Sequence, residues 1–322
     1  MTTTLPRAEV TVRPLTTIDD LREMQRLDSE VWAQDAIPLH QTLTVARNGG
    51  IVLGAFDGEE LIGLCYGFPG FNGDNIYLCS HMLAVDSRYR GSGIGEKLKQ
   101  YQRKVASEAG YRLITWTYDP LESVNAFLNL SKLGAICDTY IENCYGDMAD
   151  PLNRGLASDR FQVAWWIESR HVAERPNRNI SFDRDSILVD WQMGEEGFPV
   201  LADGAGRLIA EKIGAGLKRG RTGEFPRELP SELPSELANE NLRQPERRRD
   251  NRLGHWLLPV PAQFQRMKKE AISLAHDWRQ KTRGVFQTLF ANGYAATAVI
   301  GAADEPVRYY VLQQKEALDL LR

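Results

Sequence analysis

Arg90-Gly91-Ser92-Gly93-Ile94-Gly95 follows the apolar run Met82-Leu83-Ala84-Val85 and opens a segment whose apolar residues recur at Ile94, Leu98, Tyr101 and Val105. The order is strand, glycine turn, helix. A helix start leaves backbone N–H groups without partners and carries the positive end of the helix dipole, so it accommodates an anion. Glycines at 91, 93 and 95 remove side chains that would hold the backbone off a pyrophosphate, and they permit left-handed turn angles. Between positions 88 and 104 the bases Arg88, Arg90, Lys97, Lys99, Arg103 and Lys104 face one acid, Glu96, in a chain with 39 Lys+Arg against 43 Asp+Glu. The positive charge is local, as a phosphate site requires. A tight strand-to-helix connection with a solvated basic face is the competing reading. Spacing excludes two nucleotide loops: the run is not Gly-x-Gly-x-x-Gly, and no Gly-Lys-Ser/Thr ends it.

Arg90, Gly93 and Gly95 behind Leu83-Ala84-Val85-Asp86 fill the pattern Arg/Gln-x-x-Gly-x-Gly/Ala after a Leu-x-Val strand. In this the chain resembles the coenzyme A pyrophosphate loop of the GNAT superfamily of N-acyltransferases. The order of elements from about 9 to 168 is what that fold implies. Glu9 to Arg13 alternates like a strand, and Ile18, Leu21, Met24, Leu27 and Val31 have helical spacing. Ile51 to Phe56 and Leu61 to Phe68 read as strands joined at Asp57-Gly58-Glu59-Glu60, and Ile76 to Val85 is the strand before the loop. Beyond the basic helix come a strand over Arg112 to Tyr118, a helix from Leu121 to Leu133 stopped by Gly134, and strands at Ala135 to Tyr145 and Phe161 to Ile167. Several stretches narrow the resemblance to a little-characterised subgroup of predicted GNAT acyltransferases. They are Asn48-Gly49-Gly50-Ile51-Val52-Leu53-Gly54-Ala55-Phe56, Ser80-His81-Met82-Leu83-Ala84-Val85 and Trp116-Thr117-Tyr118-Asp119-Pro120-Leu121. Asn125-Ala126, Lys132-Leu133-Gly134-Ala135, Tyr145-Gly146, Leu152-Asn153-Arg154-Gly155 and Ser158-Asp159-Arg160-Phe161 complete them.

The resemblance implies acetyl-CoA or another acyl-CoA as co-substrate and a parallel splay between the strands ending at Val85 and Tyr118, with the pantetheine arm inserted there. The backbone of Leu83, Ala84 and Val85 would run along the arm, and N–H groups of Gly91, Ser92, Gly93, Ile94 and Gly95 would hold the pyrophosphate. Arg90 either adds charge or braces the turn, and Asn125 joins the binding set. An amine attacks the acyl thioester directly in this superfamily, so one base and one acid suffice. His81 shares a face with Cys79, Leu83 and Val85 by strict alternation, and an imidazole accepts a proton near neutrality. A hydrogen-bonded core histidine is the competing reading. Many members carry a Tyr on the last helix of the domain where this chain has Leu130, and Ser123 replaces a frequent Asn. Tyr118, Tyr145 or water then remains as the acid, Tyr118 being the candidate. Trp116 either lines the acceptor pocket or belongs to the core. In the polar loop of Asn153, Asp159 and Arg160, Arg160 is the natural bidentate partner for an acceptor carboxylate, unless the cluster only satisfies its own backbone. Asp119 reads as an N-cap.

Cys65, Cys79, Cys137 and Cys144 form no Cys-x-x-Cys pair and no His cluster completes a ligand set, so no metal is expected. Without a charged leader before an apolar core, or a run of about eighteen apolar residues, a soluble cytoplasmic protein with no membrane partner is expected. No basic stripe extends beyond the loop region, which argues against nucleic acid; a homodimer is left open.

The 322 residues suggest two pieces, a GNAT N-acyltransferase domain over 1–168 and a smaller α+β region over 169–322, the fold class being α/β with an α+β mixed sheet. Ile187, Val189 and Trp191 alternate as a strand, Trp256 to Val260 is an apolar run, and helical spacing holds from Phe264 to Asn292-Gly293. Strands over Tyr294 to Ile300 and Val307 to Leu312 repeat the closing order of the first half, raising a degenerate GNAT-like half. Its would-be loop, Glu211-Lys212-Ile213-Gly214-Ala215-Gly216, puts an acid where the cation belongs. Residues 220–252, with the tandem Glu-Leu-Pro-Ser repeat and Glu246-Arg247-Arg248-Arg249-Asp250, cannot bury a core and are expected to be a disordered insert. The expected activity is acyl transfer from coenzyme A to a small-molecule amine. An amino acid is preferred as acceptor because the subgroup has been linked to amino-acid racemase and related enolase-type enzymes. The alternative is a non-catalytic acyl-CoA-binding regulator.

Overall fold

Period-two runs pair into one sheet and period-3.6 segments cover its faces in the computed structural model, which describes residues 9–32, 36–146, 155–174, 180–202, 254–302 and 304–320. The 220–252 stretch, the Glu211 to Gly216 loop and Asn153 lie outside the described residues. The first half contains β1 Thr11–Pro14, α1 Ile18–Trp32, α2 Leu39–Arg47, β2 Ile51–Asp57, β3 Glu60–Phe71, β4 Ile76–Val85, α3 Ile94–Glu108 and β5 Leu113–Tyr118. Next is α4, Ser123–Ala126, which continues as a π-helical turn over Phe127–Lys132, followed by β6 Ile136–Ile141 and β7 Arg160–Trp166. The second half adds α5 Arg170–Ala173, β8 Trp191–Met193, β9 Pro199–Leu201, β10 His255–Pro261, α6 Phe264–Glu270, α7 Ile272–Ala291, β11 Tyr294–Ile300 and β12 Val307–Gln314.

Ten of these strands form a single mixed sheet in the order β1-β2-β3-β4-β5-β7-β6-β11-β12-β10, and β8 pairs with β9 apart from it. Only β4 and β5 are parallel neighbours among these ladders. The sheet passes from the first half to the second where β6 meets β11 at Cys137 and Ala296. Beside this junction Ser131 of the π turn donates to the Val299 carbonyl at 2.9 Å and accepts its N–H at 2.8 Å.

Both faces bury helix stripes. Leu21, Met24 and Leu27 of α1 pack with Leu64 and Tyr66 on one face. On the other lie Ile94 and Leu98 of α3, Leu130 of the π turn, and Trp278, Phe286 and Leu289 of α7. Phe161 of β7 is the hub there, edge-on to Phe286 at 4.7 Å and to Tyr310 at 5.6 Å between ring centroids.

Four expectations are corrected. Ile187 to Val189 is not an alternating strand: Ile187, Leu188 and Val189 are all buried, Ile187 makes one parallel bridge to Leu257, and β8 starts only at Trp191. The helix from Phe264 breaks at Ala271, which has φ −145° and ψ 62°. Apolar spacing runs unchanged across that break, so periodicity does not register it. The strand after Gly134 ends at Ile141, and the helix expected over Leu121 to Leu133 is a short α-helix plus a π turn. α2 was not anticipated; of its residues only Thr42 is buried, too weak a stripe to read.

Candidate functional site

The β4–β5 ladder has only two register pairs, Leu78↔Ile114 and Cys79↔Thr115. Beyond them β4 stays paired with β3 and β5 with β7, so the two parallel strands part and leave an edge of each without a strand partner. From Ser80 to Val85 the slot is about 16 Å deep, at about 3.3 Å per residue. Leu83, Ala84 and Val85 form its β4 edge.

At its mouth, Gly91 and Gly93 have φ +77° and +85°, and nothing lies within 4 Å of where a Cβ would stand on either. Gly93 is the N-cap of α3 and supplies no side-chain cap, so the first N–H groups of the helix point outward with no intrahelical partner. A cavity of about 200 Å³ opens there, lined by Val10, Tyr89, Ser92, Gly93, Ile94 and Lys97. A Cβ on Gly95 would aim between Leu83, Val85 and Leu128, with 3.7 Å to the nearest carbon. The residues present therefore fit a pyrophosphate and an extended arm: dipole, donors and space coincide.

The basic cluster is less positive than its linear count. Arg88 is engaged by Asp86 at 2.6 Å and Glu60 at 2.5 Å, which raises its pKa, and Lys132 lies 2.7 Å from Glu96 in the first turn of α3. Lys97 donates to the Val10 carbonyl, and Lys99 is buried. Arg90 is exposed at the loop, and Asn125 is exposed on α4.

A bulge decides where His81 points. Met82 pairs with Tyr66 and Ser80 with Gly67, so His81 is the extra residue on β4 and alternation changes phase across it. His81 therefore does not share a face with Leu83 and Val85, as strict alternation requires. Those two pack toward α3, whereas the imidazole lies 6.2 Å from the Tyr66 ring and 5.8 Å from Phe68, on the α1 face. His81 as a residue is exposed, yet the partial burial of its imidazole lowers its pKa, with the charge of Asp28 acting the other way. A lowered value keeps the imidazole neutral, and able to accept a proton, at neutral pH.

The other candidates divide between the faces. Trp116 lies on the α3 face, edge-on to Trp165 at 5.9 Å between ring centroids. Tyr118 is on that face too, buried, with its hydroxyl 3.2 Å from that of Tyr310, which donates to the Pro120 carbonyl at 2.8 Å. Burial pushes the Tyr118 phenol well above its ordinary pKa. Leu130 is core. The face shared with His81 carries Thr117, whose hydroxyl is 2.7 Å from that of Tyr145, and Arg160, buried, with its guanidinium 5.3 Å from the Tyr145 ring centroid. The structure thus brings His81 and Arg160 to one face and Trp116 and Tyr118 to the other. Asp159 is structural: it accepts from Tyr140, the Asn143 N–H and Arg283, and pins the β6–β7 loop to α7. Asp119 accepts the Leu121 N–H at 2.9 Å, as a cap does, and also holds Arg279 of α7.

In sequence Lys99 reads as one of the bases between positions 88 and 104. Its Nζ donates to Ser80 Oγ and to Gln102 Oε1, both at 2.9 Å, and sits 3.6 Å from the Trp116 ring centroid. Its place four residues after Gly95, on the same helix stripe, was the available signal. A larger cavity of about 610 Å³ between Gly194–Val200 and the start of α7 is walled by Glu195, Glu196 and Glu270 and lies apart from the slot. Among the described residues no group of three or more His, Cys, Asp or Glu is placed to hold a metal ion, and no helix is long and apolar enough to cross a membrane.

The model of the acetyltransferase (GNAT) family matches residues 18–130, a stretch that contains the slot and its loop. Solved structures similar to this chain include the ribosomal-protein-S18-alanine N-acetyltransferase from Escherichia coli, at 15% identity and TM-score 0.41, covering 54% of this chain and 99% of that one. A GNAT-family acetyltransferase from Streptococcus pneumoniae is 14% identical with TM-score 0.40, over 48% of this chain and 98% of that one. Arabidopsis thaliana NAA60 in complex with a bisubstrate analogue is 17% identical with TM-score 0.40, over 49% and 97% respectively. No curated protein matches the chain.

Proposed function

We propose that this chain transfers an acetyl or larger acyl group from coenzyme A to the amine of a small molecule, with an amino acid as preferred acceptor. The observation that carries this is the parting of β4 from β5 after Cys79 and Thr115, with an uncapped helix N-terminus at the mouth of the opening. An arm entering from the α3 face brings its thioester to the end of the slot, where the bulge presents His81 from the opposite face. A neutral His81 takes the proton of the acceptor nitrogen, directly or through one water, as that nitrogen bonds to the carbonyl carbon. Arg160, on the same face and donating one N–H to the Asp159 carbonyl, is the proposed partner for an acceptor carboxylate. The match of residues 18–130 to the GNAT acetyltransferase family supports acyl transfer as the reaction class.

Free thiol release from acetyl-CoA and succinyl-CoA, measured across L- and D-amino acids and polyamines, tests the reading, and turnover with amino acids is expected. A second reading, an acyl-CoA-binding regulator without turnover, is favoured by the Tyr118 hydroxyl being committed to Tyr310 and by the apolar Leu130. Tight acyl-CoA binding with no thiol release for any acceptor would establish it.

A further inference from the structure

Lys99 places an ammonium at the closed end of the slot. Gly95 and Lys99 are four residues apart on α3, so both face the gap between β4 and β5, Gly95 at the mouth and Lys99 at the floor. The last paired residues of the two strands are Cys79 and Thr115. Ser80, the next on β4, accepts from Nζ, and Trp116, the next on β5, lays its ring against it. Nζ therefore spans the two strands at the position where their pairing stops.

The surroundings supply hydrogen bonds but no counter-charge. Lys99 is 2% exposed. Facing it are Ser80 of β4, Trp116 of β5, Trp165 of β7 and Gln102 of α3, with the thiols of Cys65 and Cys79 nearby, and among the described residues no carboxylate pairs with it. Burial lowers its pKa to about 8. Burial raises both thiols in turn, so they stay protonated at neutral pH and offer no anion. A buried ammonium without a carboxylate gains from an anion that arrives beside it. Acyl transfer would create one here, since an extended pantetheine arm entering from the glycine loop would bring its sulfur toward the slot floor.

We propose that Lys99 receives the coenzyme A sulfur and is the acid that protonates the departing thiolate. The inference rests on the acyl-CoA reading of the slot. As the acceptor nitrogen bonds to the carbonyl carbon, the C–S bond breaks and its electron pair passes to sulfur. Sulfur takes a proton from Nζ, leaving free thiol and a neutral amine. The proton removed from the acceptor nitrogen leaves through His81 to solvent, and Lys99 regains one from solvent.

The test reads the sulfur itself and needs no acceptor. Coenzyme A and desulfo-coenzyme A are bound to the full chain and to Lys99→Met, affinities are measured by calorimetry, and thiolate absorbance is followed against pH. In the unaltered protein the bound thiol is expected to titrate about one unit or more below that of free coenzyme A, the effect of an opposite charge within about 4–6 Å. Lys99→Met is expected to abolish that shift while binding desulfo-coenzyme A with unchanged affinity. A bound thiol in the unaltered protein that titrates at or above the free value overturns the proposal, whether or not the variant folds. A shift that survives in Lys99→Met overturns it too and leaves Lys99 as a packing residue. Failure of both ligands to bind sinks the coenzyme A slot itself, a different result from binding without the shift.

Discussion

Arg279→Met should destabilise the fold by about 3–5 kcal/mol, the cost of leaving one member of a buried ion pair alone. Arg279 of α7 and Asp119 at the end of β5 are 160 residues apart, joined by two bonds of 2.7 and 2.5 Å, with side chains 2% and 9% exposed. Burial alone raises the Asp119 carboxyl, but the Arg279 charge and bonds, with the Leu121 N–H, bring it below its ordinary 3.8. Methionine keeps most of the volume and removes the charge, so burial then dominates and the carboxyl rises above its unfolded value. The pH dependence therefore changes sign. In the unaltered protein the pair's contribution is present above the unfolded pKa and fades as pH falls through the lower folded one. In the variant the carboxyl's contribution is present below the unfolded pKa and is lost as pH rises through the raised folded value. Urea unfolding followed by tryptophan fluorescence at pH 7 and pH 5 should show the gap between the two proteins narrowing at pH 5. Adding Asp119→Asn should recover part of the loss, since the stranded charge is then gone. A loss under about 1 kcal/mol, or a gap that widens on acidification, would refute the reasoning.

Gly95→Ala should leave the fold as stable or gain up to about 1 kcal/mol, because alanine is the better helix residue and its Cβ meets nothing closer than 3.7 Å. Gly95→Leu should abolish coenzyme A binding by filling the gap between Leu83 and Leu128; undiminished affinity in calorimetry would relocate the arm. His81→Ala should lower kcat/KM by about 100-fold. On the acyl-transfer reading, the unaltered protein's rate should rise through a pKa under the ordinary histidine value and level off by neutrality; turnover unchanged by the substitution between about pH 6 and 8 would remove His81 from the mechanism. Tyr118→Phe should cost about 1 kcal/mol of stability and leave turnover intact, because its hydroxyl serves Tyr310. A collapse in kcat with normal stability would restore it as the acid.

Local order was legible where period and punctuation agree. The change from alternation in β4 to helical spacing in α3 across Gly91 and Gly93 needs only neighbouring residues, and so do the turn at Asp57–Glu60 and the stop at Gly134. Strand order is a different matter. β6 meets β11 through one register pair, and Tyr118, Phe161, Phe286 and Tyr310 meet across nearly 200 positions, 192 between the two tyrosines. No window on the sequence contains such pairs. The run Ile187 to Val189 misled for a related reason: buried on every side, it carries no face to alternate.

The directions of two side chains depart from the sequence reading for one reason, that sequence position does not give direction. One inserted residue in β4 moves His81 to the α1 face, which separates it from Leu83 and Val85 on the α3 face. A tally of bases from 88 to 104 likewise treats Arg88, Lys97 and Lys99 as one patch, although the first is held by Asp86 and Glu60 and the last is inside. A solvated arginine paired with carboxylates adds little field, so the positive character at the mouth of the slot comes chiefly from the helix N-terminus and from Lys97, which lines the cavity there. The charge with the largest leverage is the one withdrawn from water, because its interactions are least screened. Lys99 is a charge of that kind and, unlike Arg279, has no carboxylate paired with it among the described residues; its spacing from Gly95 puts both on one helix stripe, four positions along a helix being about 6 Å of rise.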